Sequence, residues 1–248
     1  MRIDKFLLVA ASFGLLSACV TVDNKQTDDE AASNINTELG IGYLQQNNLE
    51  LASEKLKKAL RYNPKNIKAN YTYAVLQDRL GQNELAEYHY KAATELDPKN
   101  SEAANNYGAF LCRNQREAES EKYFLNAMKN PLYKTPEYAL TNAAICLMKI
   151  DQDEKARDYL GRALAAKSDF GPALFNMAKL NFTSANFEQA KNYIDRYHLV
   201  ARASASSLWL AIRTTLELDG DSDVSELAQR LEKDFPDSRE YRDWLQIQ

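Results

Sequence analysis

The apolar residues of this chain recur with the spacing of amphipathic helices, and the whole pattern repeats about every 34 residues. Three places of the repeat hold small residues, namely Gly40, Ala74 and Gly108, then Ala52, Ala86 and Ser120, and then Ala59, Ala93 and Ala127. A bulky residue recurs between the last two places, at Leu56, Tyr90 and Phe124. Small residues let two helices approach closely, and the bulky side chain fills the space beside them. The pattern therefore predicts a row of antiparallel helix pairs.

The repeat continues toward the end of the chain with one change of register. Pro64 and Pro98 close the first two units, because proline cannot continue a helical hydrogen-bond ladder. After the third unit the pattern resumes two residues late, with Ala144, Ala156, Leu160 and Ala163 in the fourth unit and Ala178, Ala190 and Ile194 in the fifth. We place the units near residues 33–66, 67–100, 101–136, 137–170, 171–203 and 204–237, and a closing helix over residues 238–246.

This arrangement resembles the tetratricopeptide repeat (TPR), in which small residues occupy the eighth, twentieth and twenty-seventh places and a bulky residue the twenty-fourth. The resemblance implies an all-α solenoid over residues 35–248, a right-handed superhelix of about six helix-turn-helix repeats plus a C-terminal capping helix. Strand signals are absent from the sequence, since no run of alternating β-branched residues stands between turns. The scarcity of Gly (8) and Pro (6) also favours helix.

The first eighteen residues are predicted to be a signal peptide. Arg2 and Lys5 provide a basic start, and the apolar run over residues 6–16 is too short to span a bilayer, which takes roughly 20 residues. The letters "LSAC" that end at Cys19 resemble the lipobox of bacterial lipoproteins. The resemblance implies that the Cys19 thiol carries a diacylglycerol and, because Val20 and not aspartate follows, that the protein faces the periplasm from the outer membrane. The alternative is an ordinary secretory signal with an incidental cysteine.

Residues 19–34 are polar and acidic and show no apolar periodicity. Segments of this composition are typical of flexible linkers, because they bury too little apolar surface to order themselves. We therefore predict a lipidated flexible tether between the membrane and the TPR domain.

The charged and nucleophilic residues do not form a recognisable catalytic or nucleic-acid site. The formal net charge is −4, and no basic run is interleaved with aromatic residues, which argues against nucleic acid as a partner. His89 and His198 lie in different repeats, without cysteine or carboxylate at metal-ligand spacing, and glycine forms no phosphate-binding loop. We expect no enzymatic activity, no metal, no small-molecule substrate and no cofactor apart from the acyl lipid on Cys19.

The two remaining cysteines, Cys112 and Cys146, fall on the first helices of adjacent units. Such helices pack roughly 8–10 Å apart, so two inward-leaning thiols could meet the distance that a disulfide requires. The periplasm is oxidising. We predict a disulfide that joins unit three to unit four, and the alternative is two buried free thiols that fill small spaces in the core.

TPR units line the inner face of their superhelix with side chains of each first helix. In the first two units this face is predicted to carry an apolar strip of Ile41, Leu44, Tyr71 and Val75, bordered by Lys68, Asp78 and Arg79. Later units add Asn105, Arg113, Phe175, Lys179 and Phe182. An apolar strip with a polar rim is typical of a site for a helical or extended peptide. The alternative is that the tether covers this strip or that the strip packs between helices.

Several stretches go beyond the repeat pattern, among them "NNYGAFLC", "PLYKTPEYALTNAAICLM", "SLWLAIRTTLE" and "DFPDSREYRDWL". Together with the length, the lipobox and the register change, they resemble the pilotin family of type IV pilus lipoproteins. The resemblance implies that the chain binds the pilus secretin and promotes its localisation and multimerisation in the outer membrane. The alternative is a TPR lipoprotein scaffold for peptidoglycan enzymes or for outer-membrane protein assembly.

Overall fold

In residues 21–218 and 224–247, which this computed structural model describes, the chain forms thirteen α-helices and no strand. Six antiparallel pairs are followed by one short closing helix, as the TPR pattern predicts, so the predicted all-α solenoid is confirmed. The helices are α1 (Thr21–Gln45), α2 (Leu49–Tyr62), α3 (Ile67–Arg79), α4 (Asn83–Leu96), α5 (Ser101–Arg113), α6 (Glu117–Met128), α7 (Pro136–Met148), α8 (Asp153–Ala166), α9 (Gly171–Thr183), α10 (Phe187–Val200), α11 (Ala205–Leu218), α12 (Ser225–Asp234) and α13 (Arg239–Leu245).

The helices form two layers that differ in how closely they are spaced. Each odd-numbered helix from α1 to α9 contacts the next odd-numbered helix as well as its own partner. The even-numbered helices, within the described part of the chain, contact no other even-numbered helix. The odd layer is therefore the compact inner side of a curved array, and its exposed faces line a concave groove.

Glycine at the eighth place of a unit marks the closest approach between the two helices of a pair. A Cβ atom added to Gly40 would lie 2.6 Å from Leu56 Cγ, and one added to Gly108 would lie 2.9 Å from Phe124 Cε1. Leu56 and Phe124 are almost completely buried. The repeating small and bulky residues of the sequence are therefore partners in the core.

The turns between the helices of a pair repeat one backbone conformation. A residue with positive φ follows the first helix of each of the first five units, at Asn47, Gly81, Gln115, Asp151 and Ala185. In each case the amide of the next residue donates to a carbonyl five positions earlier, as in a Schellman cap. The two-residue change of register thus lies between the third and fourth of these turns. The longer connection from Lys129 to Thr135 accommodates it.

The prediction of a flexible tether over residues 19–34 is wrong for the part that the structure describes, because α1 already begins at Thr21. At the end of this segment, buried polar contacts that apolar periodicity does not reveal join α1 to the residue that precedes α3. Ser33 is fully buried, and the Asn66 side-chain amide donates to Ser33 Oγ and to Asn34 Oδ1, both at 2.9 Å. The predicted signal peptide and Cys19 lie outside the described residues.

Candidate protein-binding groove

Along the inner side of α1, α3, α5 and α7, four cations have oxygen partners within the protein. We call this region the paired half of the groove. Lys68 binds Glu38 at 2.7 Å, and Arg113 of α5 forms an ion pair with Asp78 of α3. Arg79 donates to the carbonyl of Leu44 at 3.3 Å, and Lys149 donates to the carbonyl of Cys112 at 3.1 Å. These contacts join consecutive inner helices to one another.

A depression of about 440 Å³ lies in the paired half between units two, three and four. It brings together four of the residues that the sequence assigned to the groove, and other side chains complete its lining. The lining consists of Val75, Asp78, Arg79, Tyr90, Asn106, Ala109, Arg113 and Asn142. Its surface is a mixture of polar and apolar groups, and its charged members already have partners, since Asp78 pairs with Arg113 and Arg79 donates to the Leu44 carbonyl.

The predicted apolar strip of the first two units is not exposed, and this expectation is corrected. Leu44 is buried in a core cluster with Leu56, and Ile41 and Val75 are half-buried. Tyr71 is also buried, and its hydroxyl donates to Glu102 at 2.6 Å. Burial, together with the Glu102 carboxylate, raises the pKa of the Tyr71 hydroxyl. The inner helices approach so closely that these side chains pack between them, which is the alternative stated above.

Asn105, another predicted groove residue, is buried and has a structural contact. Its Oδ1 accepts a hydrogen bond from the Asn142 side-chain amide at 3.0 Å, which joins α5 to α7. The sequence therefore places Asn105 correctly on the inner side. Its side chain is occupied by the neighbouring repeat.

The inner faces of α9 and α11 differ from the paired half, because they combine aromatic rings with two cations. Phe175, Phe182 and Trp209 are half-buried, and Lys179 and Arg213 are exposed. The Arg213 guanidinium lies 4.3 Å from the centroid of the Phe182 ring and 5.9 Å from that of Trp209. The Lys179 ammonium lies 6.0 Å from the centroid of Phe175. We call these five residues the aromatic–cationic patch.

Sequence reasoning assigned Phe175, Lys179 and Phe182 to the inner face but missed Trp209 and Arg213. The signal was available in the four-residue spacing of Trp209 and Arg213, which equals that of Phe175 and Lys179 one unit earlier. It was obscured because the sixth unit departs from the repeat consensus. The structure shows that both pairs lie on the same face of consecutive inner helices.

Cys112 and Cys146 meet as a disulfide in this structure, with their Cα atoms 5.8 Å apart. The contact joins α5 to α7, at the point where the register of the repeat changes. Ser120 Oγ lies 3.1 Å from Cys146 Sγ. A cavity of about 320 Å³ between α6, α7 and α8 reaches the same cysteine and is lined mainly by apolar side chains such as Phe124, Leu147 and Tyr159.

Both histidines have contacts typical of structural residues. His89 Nδ1 lies 2.9 Å from Asn70 Oδ1, and the ring meets those of Tyr73 and Tyr88 edge-on. Burial lowers the pKa of His89. His198 Nε2 lies 3.1 Å from Ser207 Oγ, and burial followed by nearby positive charge lowers its pKa. Both rings therefore favour the neutral state within the fold.

The described residues contain neither a metal-ligand cluster nor a membrane-spanning helix. No set of three or more His, Cys, Asp or Glu side chains in this part of the chain could hold a metal ion. No described helix combines the length and the apolar character needed to cross a membrane.

Comparison with known proteins supports the repeat assignment and extends it. Two tetratricopeptide repeat family models match residues 37–101 and 89–122. The type IV pilus assembly protein PilF of Pseudomonas aeruginosa is 27% identical over 92% of this chain and 93% of its own length. The crystal structure of PilW, described as a widely conserved type IV pilus biogenesis factor, superposes with a TM-score of 0.78 at 33% identity and covers 86% of this chain and 98% of PilW. The solved P. aeruginosa PilF structure gives a TM-score of 0.78 at 26% identity, over 89% of this chain and 100% of PilF.

Proposed function

This chain belongs to the family of tetratricopeptide-repeat proteins of type IV pilus biogenesis that includes PilF and PilW, and from that premise we propose that it acts as a pilotin. It binds the type IV pilus secretin and promotes secretin localisation and multimerisation in the outer membrane. The observation that supports this proposal most is the 33% identity to PilW over 98% of that structure. The superposition extends over 86% of this chain, which is far more than a single repeat.

The proposed mechanism divides anchoring from recognition. The lipid on Cys19 supplies membrane affinity at the periplasmic face of the outer membrane, and the solenoid supplies a preformed surface. A preformed groove loses little conformational entropy on binding. Anchoring also raises the effective concentration of the bound secretin subunit at the membrane where multimers form. The chain acts without enzymatic chemistry in this scheme, and it needs no cofactor other than its lipid.

Helix α1 changes one part of this scheme. Its first turns continue directly into the packed part of unit one, so the segment after Thr21 adds helical length at about 1.5 Å per residue. The repeat array is then held at a more defined distance from the membrane than a flexible linker would allow. The tether in our proposal is short and partly rigid.

Deletion of the gene tests the proposed function directly. We expect secretin multimers to disappear from a non-reducing gel of membrane fractions, while secretin monomer remains. A plasmid copy should restore the multimers, and a copy with Cys19→Ala should still bind secretin in detergent but leave it mislocalised. Normal multimers in the deletion strain would exclude a pilotin role.

A further inference from the structure

The aromatic–cationic patch differs from the paired half, because its two cations have neither a carboxylate nor a carbonyl partner among the described residues. Lys68 and Arg113 in the paired half each bind an acidic side chain of a neighbouring helix. Lys179 and Arg213 form no ion pair with any described residue and contact aromatic rings instead. In the described part of the chain, Lys179 and Arg213 are thus left with N–H groups open to an external partner, whereas Arg79 and Lys149 in the paired half donate to backbone carbonyls.

Arg213 shows most clearly that a cation of the patch contacts an aromatic ring and not a carboxylate. Glu217 lies one helical turn further along α11, at the spacing that often permits an ion pair, yet the guanidinium lies over the Phe182 ring. Stacking uses the flat face of a guanidinium and leaves its N–H groups in the plane free to donate. The ring thus orders the Arg213 side chain in advance and leaves its hydrogen-bonding edge open to a carboxylate.

The rings provide the second part of the recognition surface. Phe175 and Phe182 are seven residues apart on α9, and Trp209 lies on the adjacent α11, so the three rings form a half-buried apolar surface around the cations. Phe182 also packs edge-on against Phe187 at 5.4 Å between centroids, and Phe175 packs against Tyr197 at the same distance. These contacts hold the rings in place, as is typical of interface anchors.

We propose that the aromatic–cationic patch of units five and six is the docking site for an acidic segment of a protein partner that also carries apolar side chains. The carboxylates of the segment pair with Lys179 and Arg213, and its apolar side chains cover Phe175, Phe182 and Trp209. That the partner is the secretin rests on the proposed function. The chemistry of the segment rests on the patch alone.

A random twelve-residue peptide library displayed on phage, selected on the full-length chain in detergent, tests the patch without assuming a partner. We expect the selected peptides to be net negative and to contain aromatic or large aliphatic residues. The double variant Lys179→Glu with Arg213→Glu should weaken their binding at least tenfold. The control variant Lys57→Glu with Lys134→Glu makes the same charge change at two exposed lysines outside the patch and should alter affinity less than twofold.

A third variant, Phe182→Leu, separates charge from ring packing. We expect it to weaken the selected peptides while leaving the net charge unchanged, because Arg213 loses the surface that orders it. Thermal melts of all variants establish that each is folded. Selected peptides without acidic bias, or peptides that bind the charge-reversed variant as well as the original chain, would overturn the proposal. The proposal would also be overturned if the library yields no binding peptide while phosphatidylglycerol vesicles bind the chain in a way that requires Lys179 and Arg213.

Overlapping peptides that cover the periplasmic part of the secretin from the same organism then distinguish the two proposals. An acidic secretin peptide whose binding needs Lys179 and Arg213 supports both. If library peptides bind the patch and no secretin peptide does, the pilotin proposal is weakened and the patch stands. If secretin peptides bind equally well after charge reversal, the patch is refuted and the pilotin proposal stands.

Discussion

The two ends of the groove are built from the same repeat but use their charged residues differently. In the paired half, Asp78 and Arg113 bind each other across consecutive units, as do Glu38 and Lys68. In units five and six, Lys179 and Arg213 lie against aromatic rings. In the paired half, ion pairs between charged side chains therefore join neighbouring units. In units five and six, the cations have no such partner among the described residues and can bind another molecule. The difference shows that the position of a residue on the inner face of a TPR does not by itself make it a binding residue.

The Cys112–Cys146 disulfide lies in the paired half, and its removal has the largest expected effect on stability. A cross-link that closes a loop of 34 residues is expected to stabilise the fold by about 2–4 kcal/mol, mainly by restricting the unfolded chain. We predict that Cys112→Ser with Cys146→Ser lowers the free energy of unfolding by that amount in urea titrations. If the paired half and the aromatic–cationic patch have separate roles, loss of the disulfide should disrupt the junction of α5 and α7, while peptide binding at units five and six persists.

Two controls accompany this prediction. The original chain treated with reductant should unfold at the same urea concentration as the double variant, since both lack the bond. Thiol titration of the denatured, unreduced chain should find neither Cys112 nor Cys146 free. Two reactive thiols would show that the cysteines are reduced, and the second alternative given by the sequence would then hold.

Two helix pairs of the paired half, those of units one and three, have glycine at their closest approach, and its replacement has the next largest expected effect. Units one and three have Gly40 and Gly108 at the eighth place, whereas units four and five have Ala144 and Ala178. We predict that Gly108→Ala destabilises the fold by about 1–3 kcal/mol, because the added Cβ would lie 2.9 Å from the buried Phe124 ring.

Gly161→Ala is the matched control for this substitution. Gly161 lies within α8, where nothing would lie within 4 Å of an added Cβ. Alanine at this position should stabilise the fold by about 0.5–1 kcal/mol, because glycine costs conformational entropy inside a helix. Equal effects of the two substitutions, measured by thermal and urea unfolding, would contradict the close approach of α5 to α6.

The sequence predicted the fold well, because the same spacing of small and bulky residues recurs in successive helix pairs. Gly108 and Phe124 are separated by the same distance along the chain as Gly40 and Leu56, and both pairs meet in the core. The tether was mispredicted for a physical reason. At the end of that segment Ser33 is buried and accepts a hydrogen bond from the Asn66 side-chain amide, and such polar burial leaves no apolar period in the sequence.

The groove was predicted less well than the fold, because repeat position specifies a side of the helix and not the exposure of a side chain. Tyr71 and Leu44 are on the inner side as expected, but the neighbouring helices bury them, Leu44 at the contact of α1 with α3 and Tyr71 at the contact of α3 with α5. Whether a cation such as Arg113 is free depends on which residue the next unit places beside it. That information is non-local, and the pairing of Asp78 with Arg113 spans 35 positions.

The smallest predicted effect tests the comparison itself, by measuring the charge pairing at each end. A double-mutant cycle of Asp78→Asn and Arg113→Gln should give a coupling energy of about 0.2–1 kcal/mol, because the Arg113 side chain is 54% exposed and solvent screens the pair. The same cycle for Arg213→Gln and Glu217→Gln should give no measurable coupling. Both are measured by urea unfolding, and 1 M salt should reduce only the first. Comparable coupling between Arg213 and Glu217 would mean that Arg213 already forms an ion pair within the chain. The distinction between the paired half and the aromatic–cationic patch would then fail.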